Sequence, residues 1–186
     1  MTEKVAVIIP VHPPKKNYLV ELLKTYSVNK IYIDIFLVFT SIQDKMFFSD
    51  VLTDDIHNIV LDSNIDLNIL AKNLSFINFK KIYALNYLSL HFEYKYSIVI
   101  DCDSYFLDMQ NIYSICERFC LKKEVYGTKS YEKNTSGVPL ACKNFIEKFS
   151  NSNHNKLDIE TYFWFSQIPI YDMNLCKQFL KFINYN

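Results

Sequence analysis

The chain has 186 residues, with 20 Lys+Arg balanced by 20 Asp+Glu, and half of its residues are hydrophobic. That length suits one domain with a real core, and that composition excludes a disordered chain. A formal net charge of zero excludes a sequence-independent grip on nucleic acid, which needs a basic face, and no stretch approaches the ~18 apolar residues of a membrane span.

Val5 to Val11 is an apolar run of the kind expected of a strand buried on both faces of a parallel sheet. It stops in the rigid loop Pro10-Val-His-Pro-Pro14. Lys16 to Val28 has helical spacing, with Leu19, Leu22, Leu23 and Tyr26 on one side. Ile31 to Thr40 is β-branched and aromatic and reads as a second strand. Ser41 is placed to N-cap a helix running to Asp54, and Ile56 to Leu61 forms a short third strand ending at Asp62-Ser-Asn64. Ile65 to Phe79 reads as a helix and a turn. Lys80 to Phe92 is a helix with Ile82, Leu85, Leu88 and Phe92 facing the core, and a strand follows from Tyr96 to Ile100.

Further on, Asn111 to Lys122 is a helix with Ile112, Ile115, Cys116 and Phe119 inward, and Glu124 to Thr128 a strand. Glu132 to Gly137 is a polar loop, Val138 to Ala141 a strand, and Lys143 to Phe149 a short helix. Asn151 to Lys156 is turn-rich, Leu157 to Trp164 is helical or extended, and Asp172 to Ile183 closes the chain as a helix. Strands alternate with helices through the first half, which predicts an α/β fold with a mostly parallel central sheet flanked by helices. Ligands of such sheets sit beyond the carboxyl ends of the strands. One rim is therefore expected to gather Pro10-Val-His12, Asp62-Ser-Asn64 and Asp101-Cys-Asp103.

Five cysteines, at 102, 116, 120, 142 and 176, form no CxxC pair, and the odd count points to a reducing cytosol. Cys116 and Cys120 lie one helical turn apart, a spacing more typical of packing than of ligation. The N-terminal apolar run is too short for a secretory leader and reads as the first strand.

The stretch that carries chemistry is Ser97-Ile-Val-Ile-Asp101-Cys-Asp103-Ser-Tyr-Phe106. A buried strand ends in two carboxylates one residue apart. On an extended chain they point the same way, and adjacent like charges call for a cation between them. Carboxylate oxygens suit Mg²⁺ or Mn²⁺. The plain alternative is a solvated strand end or turn. Glycine is scarce: Gly127 and Gly137 are the only two. This excludes a dinucleotide fingerprint, a P-loop and a nucleotidyltransferase glycine loop, each of which needs glycine where backbone meets phosphate. Arg118 is the only arginine, so bidentate Arg clamps on phosphate are nearly absent. If the domain binds a nucleotide, something else must neutralise the diphosphate, and a metal held by Asp101 and Asp103 would do that.

The order of features resembles a GT-A type glycosyltransferase over roughly Val5 to Leu140. It includes the first strand and loop VAVIIPVHPP, the lysine-bearing stretch Phe79-Lys-Lys-Ile-Tyr-Ala-Leu85, the motif YSIVIDCDSYF, and Asn134-Thr-Ser-Gly-Val138 as a donor-sugar loop. The resemblance implies a single GT-A-like domain over 1–186, with a nucleotide-binding half to about 106 and an acceptor-side half beyond. It implies a metal-dependent transfer of sugar from a nucleotide sugar, a UDP-sugar by preference, to a surface glycan or lipid-linked acceptor. The setting implied is the cytoplasm, with the inner face of a membrane open as a site of peripheral contact. Asp103 would ligate Mn²⁺ or Mg²⁺, and Asp101 would bind the ribose or reach the metal through water. Cys102 would offer backbone to the nucleotide, Pro10, Val11 and His12 would pack on the base, Lys81 or Lys80 would approach base or phosphate, and Gly137 would let backbone approach the sugar. Glu160 or Asp158, among aromatics, would be the general base of an inverting reaction, and Trp164 would stack on the acceptor.

Plainer readings stand beside these. His12 caps a loop, Lys80 and Lys81 lie on the solvated face of a helix, Asn134 to Gly137 is a turn, and Asp158 and Glu160 begin a helix. The chain departs from the family pattern in its histidines, since His154, in a polar loop, is the only one after the motif. Two rival functions remain: a catalytically degenerate nucleotide-sugar-binding or scaffold subunit, and a haloacid-dehalogenase-type phosphatase with Asp101 as nucleophile. The second is disfavoured by Tyr105 two residues after Asp103 and by the mid-chain position of the motif.

Overall fold

The computed structural model describes residues 4–65, 76–122, 127–129, 162–164, 169–183 and 185, and of 122, 127–129 and 162–164 it describes the backbone alone. Two compact units are present, one made of 1–123 with 168–186 and one of 124–167. The first opens with β1 (Val5–Pro10), a 3₁₀ turn (Pro13–Lys15) and α1 (Lys16–Tyr26). It continues through β2 (Ile33–Phe39), α2 (Ile42–Phe47), β3 (His57–Val60), α3 (Phe76–His91), β4 (Tyr96–Val99) and α4 (Ile112–Lys122). In the second unit, β5 (Gly127–Lys129) pairs antiparallel with β6 (Tyr162–Trp164). The chain then returns to the first unit as β7 (Ile170–Asp172) and α5 (Met173–Phe182).

The five-stranded sheet has the order β3-β2-β1-β4-β7. β1 lies at its centre, parallel to β2 and β4, and β2 is parallel to β3. β7 is antiparallel to β4, with Ile98 opposite Ile170. The apolar run of β1 is buried on both faces, as its pattern predicts. Val5, Val7, Ile9 and Val11 pack with Leu19, Leu22 and Tyr26 of α1 and Cys116 of α4. Ala6 and Ile8 pack with Ala84, Leu85 and Leu88 of α3 and Met173 of α5. The α/β class expected from the alternation of strands and helices is therefore the observed one: a mostly parallel sheet with helices on both faces.

Several local expectations are corrected. α2 stops at Phe47, because Phe48 turns into the core rather than continuing the helix. Its cap is as expected, with the Ser41 hydroxyl accepting from the Asp44 N–H at 3.1 Å. On α3, Ile82 is 42% exposed, and the buried residues are Lys80, Ala84, Leu85 and Leu88. This helix is apolar on several sides, so periodicity alone does not fix which side faces the sheet. On α4, Ile115 is exposed, and the inward residues are Ile112, Tyr113, Cys116 and Cys120. The short strand β7 carries no recognisable pattern in sequence. Residues 66–75, 123–126, 130–161 and 165–168 lie outside the described residues. The expectations placed there, including the 138–141 strand and the 143–149 helix, lie outside them too.

Candidate active site at the strand ends

Because β1 to β4 run parallel, their carboxyl ends share one rim. β4 keeps its register one residue past Val99, with the Ile100 N–H donating to the Ile8 carbonyl at 3.0 Å. The next residue of β1 that would donate to the ladder is Pro10, which has no N–H. The chain turns here. The Ser104 N–H donates to the Asp101 carbonyl at 3.1 Å, closing a turn around Cys102 and Asp103. The expectation of an extended backbone through the two aspartates is thereby corrected, although both side chains are exposed. Cys102 and Phe106 point into the core, while Asp101, Asp103 and Tyr105 face solvent. Burial pushes the Cys102 thiol pKa up, with the Asp103 charge adding to it, which keeps the thiol protonated and inert.

Each carboxylate has its own lysine. Lys15 Nζ donates to Asp103 Oδ2 at 3.1 Å, and this bond holds the lysine above its ordinary pKa. Lys81 Nζ lies 3.0 Å from Asp101 Oδ1. Lys15 ends the 3₁₀ turn fixed by Pro13 and Pro14, with its N–H bonded to the His12 carbonyl at 2.8 Å. Its ammonium also sits 4.8 Å from the centre of the Tyr18 ring.

Lys80 is not on a solvated face. It is 3% exposed and donates to the Val11 carbonyl at 2.6 Å. Burial lowers its pKa to about 8, partly opposed by Asp44 and Cys102. Lys81 is also no free surface cation, since its side chain is three-quarters covered and paired with Asp101. A cavity of about 500 Å³ opens beside Lys80, lined by His12, Pro13, Thr40, Asp44, Phe76 and Ile77 as well. It combines an aromatic ring, an aliphatic wall, one carboxylate and one amine, a surface suited to a flat polar heterocycle. Asp62 lines neighbouring cavities instead.

The segment after the acidic turn is fastened from α1. Asn29, 3% exposed, donates to the Thr25 carbonyl at 2.9 Å and the Leu107 carbonyl at 3.4 Å. Its Oδ1 accepts the Met109 N–H at 3.0 Å. The Thr25 hydroxyl accepts the Phe106 N–H at 3.0 Å. These bonds hold the turn in place from behind.

The structure thus brings Asp101, Cys102, Asp103 and Lys81 together, with His12 at the neighbouring cavity. Pro10 and Val11 are buried, so only His12 of that trio presents its side chain. Gly137, Asp158 and Glu160 lie outside the described residues, as does the side chain of Trp164, whose backbone ends β6. Sequence reasoning missed Lys15, Asp44, Thr25 and Asn29. A usable signal existed for the first two, which lie just beyond the ends of β1 and β2. Thr25 and Asn29 act across about 80 residues of sequence, and no local pattern marks them.

The donor chemistry at the turn fits a hard divalent cation. Asp101 and Asp103 offer oxygen alone, and each has one oxygen away from its lysine contact. Among the described residues no group of three or more His, Cys, Asp or Glu is placed to hold a metal. A cation here would complete its shell with water and phosphate, as Mg²⁺ commonly does. No helix among the described residues is long and apolar enough to cross a membrane.

No family model matches the sequence, and no curated protein matches it. Several solved structures are similar in fold. Staphylococcus aureus TarS, residues 1–349, aligns with 73% of this chain and 38% of its own, at 17% identity and a TM-score of 0.42. The 4-diphosphocytidyl-2C-methyl-D-erythritol synthase of Anaerococcus prevotii aligns with 99% of this chain and 78% of its own, at 14% identity and a TM-score of 0.49. The mannosyltransferase PcManGT of Pyrobaculum calidifontis, solved with GDP-Man and Mn²⁺, aligns with 71% of this chain and 36% of its own, at 11% identity and a TM-score of 0.39. The chain thus spans well under half of the TarS and PcManGT structures it matches. At these scores none of the three carries weight in assigning chemistry, which has to come from the side chains at the rim.

Proposed function

We propose that the chain is a metal-dependent glycosyltransferase domain of GT-A type. It would take a nucleotide sugar, a UDP-sugar by preference, and transfer the sugar to a glycan or lipid-linked acceptor on the cytoplasmic side of a membrane. One observation carries this reading: the acidic turn Asp101–Ser104 stands at the carboxyl end of β4, flanked by Lys15 and Lys81. The cavity of His12, Asp44 and Lys80 lies at the same rim.

In this reading the residues take the following roles. Asp103, with Asp101, would hold Mn²⁺ or Mg²⁺ through carboxylate oxygens. When bound, the cation supplies neutralisation of the charge that builds on the departing nucleoside diphosphate. The base occupies the cavity, with His12 and Phe76 against its face and the Asp44 carboxylate accepting a ring N–H. Lys80 orders the Val11 carbonyl and closes the floor. Gly137 near the sugar, Glu160 or Asp158 as base on the acceptor hydroxyl, and Trp164 on the acceptor remain proposals from sequence alone.

The test is titration of UDP with and without Mn²⁺. Metal-dependent binding that disappears in Asp103→Ala supports the reading, and nucleotide binding indifferent to both would sink it. The pairing of both carboxylates with lysines favours one second reading, a binding subunit without turnover. Hydrolysis or transfer from a panel of UDP-sugars separates the two.

A further inference from the structure

The two ion pairs at the turn have a consequence for how ligands enter. Lys15 Nζ is 3.1 Å from Asp103 Oδ2, and Lys81 Nζ is 3.0 Å from Asp101 Oδ1. Two carboxylates and two ammonium groups cancel, so the ligand-free turn has no net charge to offer. A divalent cation arriving alone must displace ammonium from carboxylate. A diphosphate arriving alone meets lysines already engaged and carboxylates that repel it. Together they suit each other: the carboxylates go to the cation, and the released ammonium groups go to the phosphate oxygens.

We infer that Lys15 and Lys81 are exchange cations, which hand Asp103 and Asp101 to the metal and take up the diphosphate, and so make the two ligands bind interdependently. The inference rests on the donor-site reading and adds the residues that couple its parts. Both lysines can make this move. Lys15 is 44% exposed on its side chain, with Asp103 at 46%, so a short swing suffices. The face of the Tyr18 ring offers its ammonium a second resting place. Lys81 follows the anchored Lys80 on α3, so its Cα is fixed, and its side chain, though three-quarters covered, holds its ammonium against a carboxylate that is itself 59% exposed. No arginine lies among the residues of the turn, the 3₁₀ turn or the first turns of α3, so lysine is the cation available for the phosphates there. Lysine suits exchange because it acts as a mobile point charge rather than a fixed fork.

Coupling of this kind is reciprocal, so each ligand tightens the other by the same factor. The experiment is calorimetry of Mn²⁺ alone, UDP alone and UDP with Mn²⁺, on wild-type, Lys15→Gln and Lys81→Gln proteins, with Mn²⁺ occupancy read in parallel by electron paramagnetic resonance. In wild type, Mn²⁺ should tighten UDP at least about fivefold. Each glutamine variant should bind Mn²⁺ alone more tightly than wild type, because a carboxylate is freed, and should bind UDP with Mn²⁺ more weakly. The opposite signs are what a merely structural lysine would not give. Lys15→Ala and Lys81→Ala, which also remove the ammonium, should show the same opposite signs and serve where a glutamine variant unfolds. If wild type couples the ligands but the glutamine variants bind Mn²⁺ alone no better, or lose both ligands in parallel, the exchange is overturned and the donor site stands. If wild type with Mn²⁺ takes up none of UDP, GDP and CDP, the donor-site reading falls and the exchange falls with it.

Discussion

Lys80 is a cation held where water scarcely reaches. Burial lowers its pKa to about 8, while an unfolded lysine titrates near 10.4. Between these values the unfolded chain binds more protons than the folded one, so stability rises with pH across the window. Below pH 8 the cost of the buried ammonium is fully present; above about 10.5 it is gone. The difference is roughly 3 kcal/mol. Urea unfolding at pH 7.5, 9 and 10 should show wild type gaining on Lys80→Met by most of this amount. A difference between the two that is flat with pH would contradict the buried charge. The place of Lys15 just beyond β1 is readable in sequence, but neither the burial of Lys80 nor the pairing of Lys15 with Asp103 is. Both depend on which face of a helix or turn meets the sheet. By contrast Asp101 and Asp103 are legible, because an apolar strand ending in two carboxylates is a local signal.

At the scale of elements, two attachments set the site. Ser41 caps α2 and thereby places Asp44 at the cavity. Ser41→Ala should cost about 1 kcal/mol of stability by chemical denaturation and weaken nucleotide binding more than that loss alone explains. Asn29 ties α1 to the segment after the acidic turn. Asn29→Ala leaves the Met109 N–H without its acceptor and should destabilise by about 1–3 kcal/mol, with faster hydrogen exchange concentrated at 106–109. Uniform exchange across the chain would show that Asn29 does not hold that segment. The Ser41 cap is readable from its residue type and position. The Asn29 bridge is not, because its partners Leu107 and Met109 lie far along the chain. β7 is unreadable for a different reason: three residues are too few to show a period, and their place is decided by the open edge of β4.

For the whole molecule, the order β3-β2-β1-β4 with four parallel strands is what puts the ends of β1, β2 and β4 side by side. The parallel character of the sheet is legible from the alternation of apolar strands and helices, since parallel neighbours need crossovers; the order of the strands is not, because alternation does not say which strands become neighbours. The site inherits its position from this frame: a cavity beyond β1 and β2, and an acidic turn beyond β4. The glycine shortage gives the frame its chemical bias, because the sequence has no glycine near those ends. A metal-dependent donor site at the acidic turn is tested most directly by UDP binding to wild type and Asp103→Ala with and without Mn²⁺. It predicts saturable binding to wild type that requires Mn²⁺ and is lost, at least about tenfold, in Asp103→Ala with the unfolding temperature unchanged. UDP binding of equal strength with and without Mn²⁺, or binding untouched by Asp103→Ala, would contradict it.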